Sequence, residues 1–310
     1  MKRIKHSAGT ATKRADLRQG LIVTHLGKHL AVETESGDTI HCHTRRNLGS
    51  VAVGDRVLWE ATDGNRGCVI EILERRSLLS RPARQQKTRP VAANLDQVLI
   101  VFAPEPDCDL LLVDQYLVVC ENRGIRALMV CNKADLEKKA QQLDRTLELY
   151  RGIGYESIRL SARSGFGLDC LKNQLRGRIS MLAGQSGVGK SSLTNALIPD
   201  KNQRTRGLSQ SNLHGKHTTT TTALFHLPDG GDLIDSPGVA IFGLAEIAEH
   251  DLAFGYREFQ PFLGQCRFND CRHTNDPGCA ISLAVEKGMI AQERYQRFLK
   301  LRNKLPIRPV

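Results

Sequence analysis

Hydrophobic positions change their rhythm twice along this chain. Over residues 21–72 they come in short β-prone runs, at 21–26, 29–33, 39–43, 56–60 and 68–72. Turn-forming clusters separate them: Glu35-Ser36-Gly37-Asp38, Val53-Gly54-Asp55 and Asp63-Gly64-Asn65. So many short strands in so little chain predict a small closed barrel, because closure removes the edges they would otherwise expose. Residues 74–90 break the pattern with Pro82, Pro90 and five arginines, the composition of a linker. The texture then becomes that of an α/β domain. The run 98–103 is continuously apolar, as in a parallel strand buried on both faces. Further strand signals at 125–131, 157–161 and 179–183 alternate with helical ones at 110–122, 136–152 and around Leu168, Leu171 and Leu175. That alternation predicts a doubly wound parallel sheet. Two helical stretches, 281–289 and 290–304, close the chain. The expected division is a basic tail 1–20, a barrel 21–73, a basic linker 74–90, an α/β domain 91–245 and a mainly helical domain 246–310.

Composition narrows the class. The 310 residues are 40% hydrophobic and 25% charged, as in an ordinary globular chain. No run approaches the ~18–20 apolar residues of a membrane helix, and the basic N-terminus is followed by no apolar core, so it does not read as a secretory signal. Nine cysteines, with three crowded between 266 and 279, do not resemble a secreted disulfide framework. A reducing, cytoplasmic setting is expected, with no membrane partner. The formal net charge of +11 is uneven: residues 1–20 and 74–90 each hold six basic groups and one acid, and residues 266–310 hold nine and four. Such segments are an electrostatic footprint for a polyanion. Arg45 and Arg46, between the third and fourth runs, either touch phosphate or are solvated loop residues.

Candidate chemistry begins at Gly184-Gln185-Ser186-Gly187-Val188-Gly189-Lys190-Ser191, which fits GxxxxGK[ST] between an apolar strand and a helix opening at Ser192. Glycines let the backbone N–H groups wrap a phosphate. Lys190 would neutralise the β- and γ-oxygens, and the Ser191 hydroxyl would ligate Mg²⁺. Asn132-Lys133-Ala134-Asp135 ends the strand at 125–131. A carboxylate there accepts from guanine N1–H and the 2-amino group, a donor pair that adenine lacks. The Lys133 stem would cover the base, and the backbone at Ser161-Ala162 would offer an N–H to the guanine carbonyl.

Two further segments complete the expected pocket. Asp235-Ser236-Pro237-Gly238 follows a short strand at 232–234; Asp235 would hold Mg²⁺ through water and the Gly238 N–H would sense the γ-phosphate. The polar stretch 204–222 contains a threonine run, of which Thr218 or Thr219 is expected to complete the Mg²⁺ shell. Position 239 is valine, which cannot orient water as a glutamine would. His217, beside the threonines, is either the catalytic group in its place or a loop histidine without a role. The base-reading segments precede the phosphate loop, the reverse of the ordinary GTPase order, which a circular permutation explains.

Cys266, Cys271, His273 and Cys279 offer three thiolates and one imidazole within fourteen residues. That set suits one structural Zn²⁺ in a closed tetrahedron. Downstream, Arg294, Arg297, Lys300, Arg302 and Lys304 share a helix with Tyr295, Phe298 and Leu301 at core spacing. These charges either grip RNA or form the wet face of the helix.

The permuted succession of motifs, the Gly215-Lys216-His217-Thr218-Thr219 segment and the Cys/His cluster together resemble the circularly permuted GTPases of the RsgA (YjeQ/EngC) family over essentially the whole chain. The resemblance implies an N-terminal OB-fold barrel, a central GTPase and a C-terminal zinc-binding helical domain. It further implies GTP and GDP as ligands with Mg²⁺, contact with 16S rRNA, action in late maturation of the 30S ribosomal subunit, and hydrolysis stimulated by that subunit to release the protein or other assembly factors. A monomer is expected. The alternative is an RNA-binding assembly module whose nucleotide site is regulatory and weakly hydrolytic; an ATP-dependent kinase is a third class, opposed by Asp135.

Overall fold

The structure, a computed structural model, describes residues 17–26, 29–62, 66–82, 88–198, 222–236, 247–274 and 276–305. Five strands form the first unit: β1 (Arg18–Leu26), β2 (His29–Thr34), β3 (Thr39–Thr44), β4 (Arg56–Thr62) and β5 (Arg66–Ile72). They pair in the order β1-β2-β3-β5-β4, and β4 returns to β1 to close the barrel. Only β3 and β5 run parallel. Alternation along each strand sends Ile22, Leu30, Val32, Cys42, Val57, Trp59 and Val69 inward as one core. The Trp59 indole satisfies its buried N–H on the Gln19 carbonyl at 3.2 Å.

The segment read as a linker carries structure. β6 (Leu78–Pro82) and β7 (Thr88–Ala93) form a two-stranded ribbon. Arg75 grips the buried Asp55 through two bonds of 2.7 and 2.8 Å, and Arg76 pairs with Asp96 at 2.8 Å. Two of the linker's arginines therefore bind the protein's own carboxylates.

The α/β unit contains β8 (Gln97–Phe102), α1 (Leu110–Arg123), β9 (Arg126–Cys131), α2 (Glu137–Ala140), α3 (Asp144–Gly152), β10 (Glu156–Arg159), α4 (Leu168–Leu175), β11 (Ile179–Ala183), α5 (Lys190–Leu197), β12 (Ala223–His226) and β13 (Asp232–Asp235). The single helix expected over 136–152 tightens into a 3-10 turn at Gln141–Leu143 between α2 and α3. The sheet order is β10-β9-β8-β11-β13-β12, all parallel except β12. Every residue of β8 is buried, as its unbroken apolar run predicts. β12 also pairs with β1, at Thr24 opposite Ala223, so sheet and barrel are continuous.

The C-terminal unit comprises α6 (Glu249–Phe254), a 3-10 turn (Arg257–Phe262), α7 (Ala280–Glu286) and α8 (Gln292–Arg302). Tyr256, Phe259, Tyr295 and Phe298 pack ring on ring with centroids 4.9–6.5 Å apart. Two α8 charges depart from both sequence readings: they neither grip RNA nor face water. Arg294 is fully buried, bonded to Glu258 through Nε (2.6 Å) and Nη2 (3.1 Å) and paired with Asp114 of α1. Arg297 donates to the other Asp114 oxygen at 2.5 Å, and the Tyr150 hydroxyl of α3 donates to Asp114. One buried carboxylate thus fastens the C-terminal helices to the α/β unit.

Removing one member of a buried ion cluster leaves its partners desolvated and uncompensated, a cost of about 3–5 kcal/mol. Asp114→Ala is expected to destabilise the chain by that amount in urea unfolding. A loss under ~1 kcal/mol would mean that the cluster is no anchor.

Candidate functional site

Strand order reverses between β8 and β11: the chain adds β9 and β10 on one side of β8, then β11 and β13 on the other. Ligands of such sheets bind in the crevice outside the carboxyl ends of the strands at that reversal. Asn132 follows β9, Ser161 lies just past β10, Gly184 follows β11, and Asp235 ends β13. Sequence segments far apart in the chain are therefore gathered at one edge of the sheet.

Asn132 joins them. Its side chain is buried, and its Nδ2 donates to the Val188 carbonyl at 2.9 Å. Its Oδ1 accepts from the Ala162 N–H at 3.0 Å. A third tie runs from the Ala134 N–H to the Leu160 carbonyl at 3.0 Å. The Ala162 N–H, expected to face a nucleobase carbonyl, is thus engaged by Asn132. Close approach explains two of the glycines. A Cβ at Gly189 (φ +95°) would stand 2.3 Å from Asn132 Nδ2, and one at Gly184 (φ +144°) would stand 2.1 Å from the Val101 carbonyl oxygen.

Polar groups face the crevice in two clusters. In the first, the Ser161 hydroxyl donates to Asp135 at 2.6 Å and holds that carboxyl below its usual range, so the exposed Asp135 is an anion with one oxygen fixed. Lys133, in the left-handed region at φ +62°, sends its ammonium to the Glu105 carbonyl at 2.8 Å. In the second, Lys190 opens α5 and donates to the carbonyls of Gly184 and Gln185, each at 2.7 Å. Burial lowers the Lys190 pKa while nearby Asp235 opposes the shift. An ammonium held by two neutral carbonyls, each a weaker partner than an anion, can be redirected to a phosphate entering the loop. Ser186, Gly187, Ser191 and Ser192 are exposed at the mouth. Thr222 and Ser236 share a hydroxyl contact of 2.8 Å where β12 and β13 meet the crevice. His217, Thr218, Thr219 and Gly238 lie outside the described residues.

The β8–α1 loop is a wall that sequence reasoning missed. Besides accepting from Lys133 at Glu105, it donates from the Asp109 N–H to Gln185 Oε1 at 3.2 Å, and Pro106 stands against Gly187. Its signal was position: a Pro-rich loop at the carboxyl end of the most buried strand.

The Cys/His cluster is assembled. His273 Nδ1 lies 3.5, 3.5 and 3.6 Å from the sulfurs of Cys266, Cys271 and Cys279, and all ligand atoms fall within 4.8 Å of one another. Zinc bonds of about 2.3 Å to sulfur and 2.0 Å to nitrogen, at a tetrahedral angle, separate S and N by about 3.5 Å. The four residues therefore fit a zinc ion, with all three thiols free of disulfides. The N–H groups of Ala280 and Ser282 donate to Cys266 and Cys279, each at 3.4 Å. Burial pushes the Cys279 thiol up, but hydrogen bonds from Ser282, Cys271 and the Ile281 backbone outweigh it and hold it below its ordinary value. Tyr295 fixes the knuckle to α8 through the His273 carbonyl at 2.9 Å. Among the described residues no helix is long and apolar enough to cross a membrane.

Comparison with known proteins agrees with this geometry. A crystal structure of YjeQ from Thermotoga maritima superposes with a TM-score of 0.76 at 34% identity, covering 94% of this chain and 100% of that one. The structure of YloQ, described as a circularly permuted GTPase, gives 0.72 at 28% identity and covers 95% and 97%. The small ribosomal subunit biogenesis GTPase RsgA of Pseudomonas savastanoi pv. phaseolicola is 44% identical over 293 residues, 93% of this chain and 85% of that protein. The RsgA protein of Azotobacter vinelandii is 44% identical over 295 residues, with 93% and 86% covered. The model of the RsgA GTPase family matches residues 72–245, more than half of the chain, and the chain belongs to that family of circularly permuted GTPases.

Proposed function

We propose that this chain hydrolyses GTP in the late maturation of the small ribosomal subunit, holding 16S rRNA in one nucleotide state and letting go in the other. The observation that carries the reading is the Asn132 amide, which ties the loop of Asp135 to the loop of Lys190 although the chain visits them in reversed order. Asp135 accepts from guanine N1–H and the 2-amino group, and Lys133, Ala134, Ser161 and Ala162 shape the base pocket. Backbone N–H groups of Gly184, Gln185, Ser186, Gly187, Val188, Gly189 and Ser192 surround the phosphates, and Lys190 leaves its two carbonyls to neutralise the β- and γ-oxygens.

Asp235 ends β13 beside the crevice and bears electrostatically on Lys190. Ser191 and Thr218 or Thr219 would hold Mg²⁺, with Asp235 acting through water. When bound, Mg²⁺ spreads the charge that develops on the β- and γ-oxygens. Gly238 reports the γ-phosphate, and His217 orients water in place of the glutamine that Val239 excludes. A zinc ion on Cys266, Cys271, His273 and Cys279 would contribute folding energy to the C-terminal unit. The barrel and this unit flank the crevice unit and supply surfaces for RNA in the cytoplasm; release of the chain, or of other assembly factors, follows hydrolysis. The relatives named above, small ribosomal subunit biogenesis GTPases, support this placement.

Purified 30S subunits are expected to raise multiple-turnover GTP hydrolysis at least about tenfold, equivalent to ~1.4 kcal/mol in the barrier; an unchanged rate would contradict the ribosomal role. Asp135→Asn removes a charged acceptor of two hydrogen bonds and is expected to weaken GDP binding about 10²-fold or more in calorimetry, whereas unchanged GDP affinity would take Asp135 out of the base-reading role. Zinc removal by chelator is expected to lower the thermal midpoint and to melt the helices that follow Cys279. Cys271→Ser should do the same and lower the bound zinc measured by elemental analysis. Full zinc content in that variant would remove Cys271 from the ligand set.

A further inference from the structure

The hairpin of β12 and β13 touches the crevice at one end and the barrel at both. At the crevice end, Ala223 pairs with Asp235, and the Thr222 and Ser236 hydroxyls meet. Three positions along, His226 pairs with Asp232. Three residue steps of a strand span about 10 Å, so a short stiff ladder separates the two ends. Two contacts fasten the hairpin to the barrel, one at each end. Thr24 of β1 pairs with Ala223. At the far end the hairpin meets Glu33 of β2, whose own partner in the barrel is Leu21. The imidazole bridges the units accordingly: Nδ1 lies 2.6 Å from Asp232 Oδ1, and Nε2 lies 2.9 Å from both oxygens of Glu33. The bonds to Asp232 and Glu33 push the His226 pKa up to about 9, so the ring is a cation at neutral pH with an anion on each nitrogen.

We propose that His226 and Glu33 are positioning residues that couple the barrel to the nucleotide site through the β12–β13 hairpin. Neither touches nucleotide. The inference rests on the nucleotide reading of the crevice and adds to it the route by which occupancy reaches the barrel. Asp235 and the residue before β12 stand where a γ-phosphate and its cation are read, so a change of hairpin register or tilt there is carried to β1 and β2 by the Thr24–Ala223 pairing and the His226 clasp. A flexible tether would carry no such signal; a ladder with an ion pair at its far end does. His226 is half exposed, so the clasp is screened by salt and its effect is moderate.

The test uses the full-length chain at low salt, loaded with GDP or with a non-hydrolysable GTP analogue, and follows amide hydrogen exchange over β1 and β2. Binding of a fluorescent GDP is measured in parallel. In the wild type, exchange in these strands is expected to differ between the two nucleotides. In His226→Gln and in Glu33→Gln that difference is expected to shrink about fivefold, with GDP affinity unchanged. His226→Lys, which keeps a cation between the two carboxylates, is expected to restore most of it, a rescue that a merely structural role would not give. Normal GDP binding with equal nucleotide-dependent differences in wild type and His226→Gln, or with no difference in wild type, overturns the coupling role alone. Failure of the wild type to bind GDP overturns the crevice reading and this inference with it.

Discussion

The buried amide of Asn132 is the constraint on which the site depends. An amide has one donor side and one acceptor side, and here each is spent on a different loop: Nδ2 on Val188, Oδ1 on Ala162. Buried polar groups are costly unless paired, so the three loops can only be stable together in the arrangement that satisfies all of these partners. Gly189 exists at its position because any Cβ would collide with that same amide. Chain order is irrelevant to such a bond, which is why a permuted succession of motifs can build the same crevice.

Around this crevice the remaining units are attached by interactions of different kinds. The barrel joins through strand pairing at Thr24–Ala223, an exposed ion pair at His226–Glu33, a buried bond from Asn94 to the Gly54 carbonyl, and a shared core that takes in Val23, Ala31 and Val53. The C-terminal helices join through buried charge, with Asp114 shared by Arg294, Arg297 and Tyr150. Buried ion clusters are strong against removal of one partner, whereas exposed pairs are weak and adjustable.

Much of this was legible from residue pattern. The apolar run at 98–103 announced β8, the Gly-Lys-Ser and Asn-Lys-Ala-Asp segments fell at strand ends, and the Cys/His spacing closed into a ligand set because cysteine and histidine carry that chemistry in any fold. What escaped was set by tertiary context. β12 has four residues and follows a threonine run, too little for any periodicity to register. β6 and β7 hide in a stretch whose arginines dominate its composition, yet Arg75 is there to meet Asp55. Arg294 and Arg297 looked like solvent or RNA contacts because a sequence does not show that Asp114, far away in the chain, waits beneath them.

The central claim is that the Asn132-tied crevice is one guanine-nucleotide site. A crystal structure with a non-hydrolysable GTP analogue and Mg²⁺ addresses it most directly. The account predicts the base within hydrogen-bonding distance of the Asp135 carboxylate and the β-phosphate inside the loop that ends at Lys190. A nucleotide bound with its base elsewhere, or a phosphate outside that loop while Asn132 keeps its two partners, would contradict it.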